Sequence, residues 1–342
     1  MPWDEIQGQA RAVNLIRRAV ESAHLHHAYL LAGEEGVGKE LLARLVAQAA
    51  NCEADAPLRP CGLCAACAGI ARGNYTDVFW VRPQSELVAR GLVNKGDLEG
   101  APSREIRVDE VRQLARRLSF ALTRGRRKVV IVSPADALNE RAQNALLKTL
   151  EEPPRDTTFF LITASPDQLL PTVRSRCARV NLVPLAASII EKKLVAQGVP
   201  QPVAAARAAR SEGSLARALH LTAEEIASHD DLLARLEAAL HAPDEREALD
   251  LAEDLGEREP ALRAVEALFG RTRDLLVAQA QGAPAPLSPV RLLQQHDLCR
   301  DVLDVLRQNG NSRLQLERLL LLLRELRAAP AQRPAQAGGA RG

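Results

Sequence analysis

The chain has 342 residues, 46% hydrophobic and 26% charged, a balance that suits a soluble globular protein of two or three domains. Its 45 basic and 43 acidic residues leave a formal charge of +2, so any nucleic-acid surface must be local. Aromatic residues at 3% exclude an extended base-stacking platform. No basic segment leads into an apolar run at the N-terminus, and no apolar stretch nears the ~20 residues that span a bilayer. The expectation is a cytoplasmic protein without membrane contact. In a reducing compartment, six cysteines point to metal or free thiols rather than disulfides.

In chain order, Ala12, Leu15, Ile16, Ala19 and Ala23 recur at helical spacing and predict a helix over 9–24. The apolar run 28–32 leads into a Gly-rich segment and then a helical run over 40–50, the strand–loop–helix context of a phosphate loop. Strands are predicted at 77–81 and 128–132, with 84–104 between them read as a loop or insertion rich in Gly, Ser and Pro. Residues 106–121 read as a helix. Another spans 139–151 and stops at Pro153-Pro154. Residues 157–163 predict a buried strand, and 180–183 a last one. Alternating strands and helices imply a mostly parallel sheet covered on both faces. After Pro184, two or three short helices are expected over 185–219, then helices to 328 broken at Gly256, at 282–289 and at Gly310. The Ala-, Pro- and Gly-rich tail 329–342 is expected to be disordered.

Cys52, Cys61, Cys64 and Cys67 form C-x8-C-x2-C-x2-C, with Pro57, Pro60 and Gly62 to make the turns. Four thiolates at this spacing suit a closed tetrahedral zinc site of structural type. A ferredoxin-type cluster fails because its fourth position is Ala71. Cys177 and Cys299 read as ordinary buried thiols.

Gly33, Gly36, Gly38 and Lys39 match a phosphate loop up to its last position, where Ser or Thr would hold Mg²⁺ and Glu40 stands instead. Two readings stay open: a loop that binds nucleotide, and a relic. Hydrolysis also needs an acid at the end of a second strand, but 128–132 is followed by Ser133-Pro134, and Asp136 lies too far along.

The run Asn144-Ala-Leu-Leu-Lys-Thr-Leu-Glu-Glu-Pro-Pro154, with Ser175-Arg176-Cys177, resembles the clamp-loader subunits of bacterial DNA polymerase III, which are AAA+ ATPases. The four-cysteine module looks like that of the gamma/tau and delta-prime members. The departures at Glu40 and Ser133-Pro134, and Arg217 standing one place late after Gly213-Ser214, are similar to delta-prime, the member that does not hydrolyse ATP. The resemblance implies a heteropentamer with gamma/tau-like and delta-like subunits that loads a sliding clamp on primed DNA. It gives Arg176 the role of an arginine finger in a neighbour's ATP site. It implies no intrinsic ATPase activity, only an accessory place in a DNA polymerase holoenzyme. The expected architecture is an α/β P-loop (AAA+-like) domain over 1–184 with a zinc module at 51–69, a helical lid over 185–221 and an all-α oligomerisation collar over 222–328. The Leu-rich helix 313–328 is expected in an oligomer core. The basic run 112–128 reads as a phosphate-tracking surface, a solvated face or a subunit contact. Two alternatives are a hydrolysing gamma/tau-like subunit and a zinc-dependent nucleic-acid-binding protein.

Overall fold

Apolar runs of four to seven residues are too short for stable helices and pair instead as strands. Ala28–Ala32 (β1), Val78–Val81 (β2), Lys128–Val132 (β3), Thr157–Thr163 (β4) and Ala178–Asn181 (β5) form one parallel sheet in the order β2-β3-β4-β1-β5. The computed structural model describes residues 2–55, 58–98, 100–280, 282–307 and 310–328. The tail 329–342 and Pro57, read from the sequence as disordered and as a turn, lie outside the described residues. The chain divides into two units, Met1–His220 and Leu221–Gly342.

In the first unit both faces of the sheet are covered, as strand periodicity requires. Val129 and Ile131 of β3 join Leu31, Phe160 and Ile162 under helices α1 (Ala10–Glu21) and α2 (Lys39–Asn51). The alternate residues Val130 and Val132 join Leu30, Phe159 and Leu161 on the other face. There they meet Leu114 and Leu118, and Leu146 and Leu150. A seven-residue helix α3 (Ala65–Ala71) follows the first three module cysteines and carries the fourth. Residues 84–104, expected as a loop or insertion, contain helix α4 (Gln84–Ala89) and a 3-10 turn at Lys95–Asp97. Helix α5 is Val108–Ser119, α6 is Glu140–Glu151, and α7 is the single turn Pro171–Arg174. The last strand lies two residues earlier than its apolar residues suggested, because β1 selects Ala178–Asn181 as its partner. Helices α8 (Ala187–Ala196), α9 (Gln201–Arg210) and α10 (Leu215–His220) pack around Ile190, Leu194, Ala204 and Ala218.

The second unit holds α11 (Ala223–His241), α12 (Arg246–Asp254), α13 (Arg258–Ala280), α14 (Pro289–Arg307) and α15 (Ser312–Ala328). Leu316, Leu319, Leu320 and Leu323 of α15 are buried in this unit's own core. That stripe, read from the sequence as facing other subunits, is therefore consumed within the chain. Among the described residues no helix is long and apolar enough to cross a membrane.

Candidate functional site

The phosphate-loop residues lie at the C-terminal end of β1, where open parallel sheets bind ligands. Gly33 passes so close to the strand exit that a Cβ would meet the Leu182 carbonyl at 2.5 Å. Gly36 has φ 74°, in the left-handed region, and a Cβ there would meet Ser214 Oγ at 2.3 Å. The Leu215 N–H donates to the Gly36 carbonyl at 3.3 Å, so the start of α10 rests on the loop. Gly38 precedes α2 as its N-terminal cap residue. The loop is also joined to the segment after β5 by Gln9. Its amide donates to the carbonyls of Val37 at 3.2 Å and Val183 at 2.6 Å, and accepts from Val183 N–H at 3.0 Å.

The charges at this end are satisfied from within. Lys39 Nζ donates to the carbonyls of Gly33 at 2.5 Å and Glu34 at 2.6 Å, within its own loop. Burial lowers its pKa, against the Glu35 and Glu34 carboxylates. Glu40 faces Arg82 at 3.2 Å and Arg90 at 3.1 Å, and accepts a hydrogen bond from Ser133 Oγ at 2.7 Å. Burial would raise the Glu40 carboxyl, but Ser133 and the two guanidiniums outweigh it and hold its pKa below the ordinary value. Arg82 is buried, lies 3.8 Å from the centre of the Trp80 ring, and with Arg90 also approaches Glu86. Two cations and two anions thus form one neutral cluster across α2, β2, α4 and the end of β3. Sequence reasoning singled out Glu40 and Ser133 separately and missed that they touch. The only local signal was the Arg82-Glu86-Arg90 spacing, which places all three on one side of a helical turn.

Asp136 accepts a hydrogen bond from Thr163 Oγ1 at 2.5 Å, at the end of β4. Arg217 pairs with Glu212 at 2.6 Å rather than with the loop.

The four module cysteines converge. Their sulfurs all lie within 4.8 Å of one another, and Cys52 Sγ and Cys64 Sγ are 3.9 Å apart. A tetrahedron with metal–sulfur bonds of about 2.3 Å has edges of about 3.8 Å, so the set fits a thiolate-bound metal. Backbone N–H groups of Cys61, Cys64 and Cys67 each donate to the sulfur of the preceding cysteine at 3.3–3.4 Å, as anionic sulfur favours. The N–H groups of Cys64 and Leu63 lower the Cys61 thiol to about 6. The module is tied to the N-terminus by Trp3, whose indole donates to the Arg59 carbonyl at 2.9 Å.

Arg176 lies at the opposite end of the sheet. Tyr29 pairs with Ala178, so Arg176 sits before the start of β5, level with the entry to β1. Its guanidinium pairs with Glu151, the last residue of α6, at 2.6 Å and donates to the Thr172 carbonyl at 2.9 Å. The His27 ring lies against its backbone, and burial lowers the pKa of that ring.

The basic run 112–128 is partly structural. Lys128 is buried and donates to the carbonyls of Leu118, at 2.7 Å, and Phe120. Arg117 lies 4.8 Å from the centre of the Phe79 ring. Asp77, which the sequence offered only as a strand residue, accepts backbone N–H bonds from Thr123, Arg124 and Gly125 at 2.7–3.0 Å. Burial would raise its carboxyl, but these donors hold its pKa below the ordinary value. Asn51 accepts from Arg126 and Arg127 N–H in the same way, at 2.9 and 3.0 Å.

A family model described as "DNA polymerase III, delta subunit" matches residues 8–186. The DNA polymerase III subunit tau of Salmonella typhimurium is 33% identical over 96% of this chain and 51% of its own length. The subunit delta' of Pseudomonas aeruginosa is 38% identical over 53% of this chain and 50% of its own. The subunit delta' of Bacillus subtilis is 32% identical over 70% of this chain and 67% of its own. The chain therefore spans about half the length of the tau relative it matches. With the parallel sheet, phosphate loop and signature helix in place, the chain belongs to the AAA+ clamp-loader subunit family of DNA polymerase III.

Proposed function

We propose that this chain is the non-hydrolysing, delta-prime-like subunit of a DNA polymerase III clamp loader. It assembles with gamma/tau-like and delta-like subunits in a heteropentamer that loads a sliding clamp on primed DNA. In this reading Arg176 is an arginine finger in a neighbour's ATP site, and Cys52, Cys61, Cys64 and Cys67 hold one structural zinc. The second unit contributes the collar.

The observation that carries the reading is the placement of Arg176 relative to its own phosphate loop. The two lie at opposite ends of β1 and β5. At ~3.3 Å per residue that is roughly 20 Å along the strands, beyond the reach of an arginine side chain. Arg176 can therefore meet a phosphate only on another molecule. A fixed planar cation there stabilises charge on a transferring phosphoryl group and is worth about 10³-fold or more in rate. At the other end, the position that would hold Mg²⁺ is a carboxylate engaged by Arg82 and Arg90. The strand-end acids that would orient the metal and activate water are replaced by Ser133, which donates to that carboxylate, and by Pro134.

Zinc would be held by the four sulfurs alone, with no ligand position left for substrate, and would supply cross-linking of the module rather than chemistry.

The test is a loader reconstituted with the full chain. Arg176→Ala should assemble normally while the neighbouring site loses about 10³-fold in rate, so total ATP turnover falls by that site's share. Unchanged turnover and clamp loading would overturn the finger. The similarity to tau over 96% of the chain favours one other reading, a hydrolysing gamma/tau-like subunit. Purified chain that releases phosphate from Mg-ATP, and stops when Lys39 is changed to Ala, would establish it instead.

A further inference from the structure

The geometry points to Glu151 as the positioning residue for Arg176; this inference rests on the finger reading above. Glu151 ends α6, where its carboxylate meets Arg176 Nη2 at 2.6 Å. The other terminal nitrogen, Nη1, donates to the Thr172 carbonyl at 2.9 Å. The guanidinium is thus gripped at two of its three nitrogens by groups on two different elements. A planar fork held at two points has one orientation, whereas a free arginine samples many rotamers.

Both grips trace back to α6. Gln143, about two turns earlier in the same helix, is buried and accepts the Leu170 N–H at 2.7 Å. Leu170 in turn accepts from the Arg174 and Val173 N–H groups, at 3.1 and 3.0 Å, and so starts the turn that carries Thr172. Helix α6 therefore sets the Thr172 carbonyl through Gln143 and the carboxylate through Glu151.

Stability does not account for the pair. Glu151 is 48% exposed and Arg176 35% exposed, and ion pairs in that setting add little to folding free energy. What the pair does supply is a fixed direction for the outward edge of a cation before any partner arrives. Such preorganisation acts on rate rather than on ground-state affinity.

The experiment uses the reconstituted loader with the clamp and primed DNA, and reads the ATP kcat and KM together. Glu151→Ala should lower kcat about 3- to 10-fold with KM changed less than about 2-fold, the pattern of an interaction felt in the transition state. Glu151→Gln keeps an oxygen that accepts from Nη2 and should recover most of the rate. The double variant with Arg176→Ala should be no slower than Arg176→Ala alone, because Glu151 acts only through that arginine. Its thermal midpoint should stay within about 1 °C of the parent, which a structural role would not allow.

Parent-level or faster turnover in Glu151→Ala, with Arg176→Ala still slow, would overturn the positioning role and leave the finger standing. Additive slowing in the double variant, or a lowered midpoint that accounts for the loss, would also overturn it. If Arg176→Ala itself turns over normally, the finger reading falls, and the positioning role with it.

Discussion

The two ends of the sheet treat charge in opposite ways. At the C-terminal end, Lys39, Glu40, Arg82, Arg90 and Ser133 find their partners within the first unit. At the N-terminal end, the Arg176 guanidinium is held along one side and remains about one-third exposed. A charge cluster that closes on itself supports the fold; a cation held along one side keeps an edge for a partner, as the proposed finger role requires. On the proposed reading, a phosphate loop is kept as architecture while the chemistry moves to the opposite end of the same strands.

Three measurements would break or sharpen that contrast. The largest effect belongs to the cysteine module, where the four sulfurs converge. Cys61→Ser with Cys64→Ser should abolish stoichiometric zinc and cost about 4 kcal/mol or more in the first unit. Metal analysis with urea unfolding checks it. A variant as stable as the parent would mean that the module folds without metal.

A smaller effect is expected at Glu40. Glu40→Gln should cost about 1 kcal/mol near neutral pH, because it removes the charge of the nearer of the two carboxylates beside the buried Arg82. The pH dependence has a definite sign. Glu40 has a folded-state pKa below its ordinary value. Its contribution is therefore complete above the unfolded glutamate value of ~4.3 and is lost as pH falls through the lower, folded one. Parent and variant should converge below about pH 4, which paired unfolding curves across that range would reveal. A gap that persisted at low pH would assign the loss to packing instead.

The smallest effect is that of Arg176→Ala on folding, less than about 0.5 kcal/mol by denaturant titration, since the pair it breaks is solvent-facing. A large loss there would erase the distinction between the two ends.

What could be read from the sequence divides along the same physical line. β1, β3 and β4 are legible because each is an apolar run of strand length, and their observed limits match it. The convergence of the four cysteines follows from spacing, because C-x2-C steps place sulfurs side by side in one turn. Helix α4 was hidden inside a polar, Gly-rich stretch, since it buries no residue of its own and is held by charge pairs. The closure of Glu40 by Ser133 joins positions 93 residues apart, and no local pattern encodes a contact of that range. Lys128 misled for a related reason: a lysine in a basic run looks solvated, yet its ammonium ends on two backbone carbonyls beneath α5.

The pinned turn at 123–127 has one more consequence. Its path is set by a carboxylate and an amide, Asp77 and Asn51, that bind main-chain N–H groups and no side chain of the turn. The exposed side chains of Arg124 and Arg126 play no part in those bonds. Positions 124 and 126 can accordingly change in charge or in size while the backbone keeps its course, whereas a Cβ at Gly125 would collide with the Asn51 side chain that pins the turn. At those two positions the side chain is uncoupled from the bonds that hold the main chain.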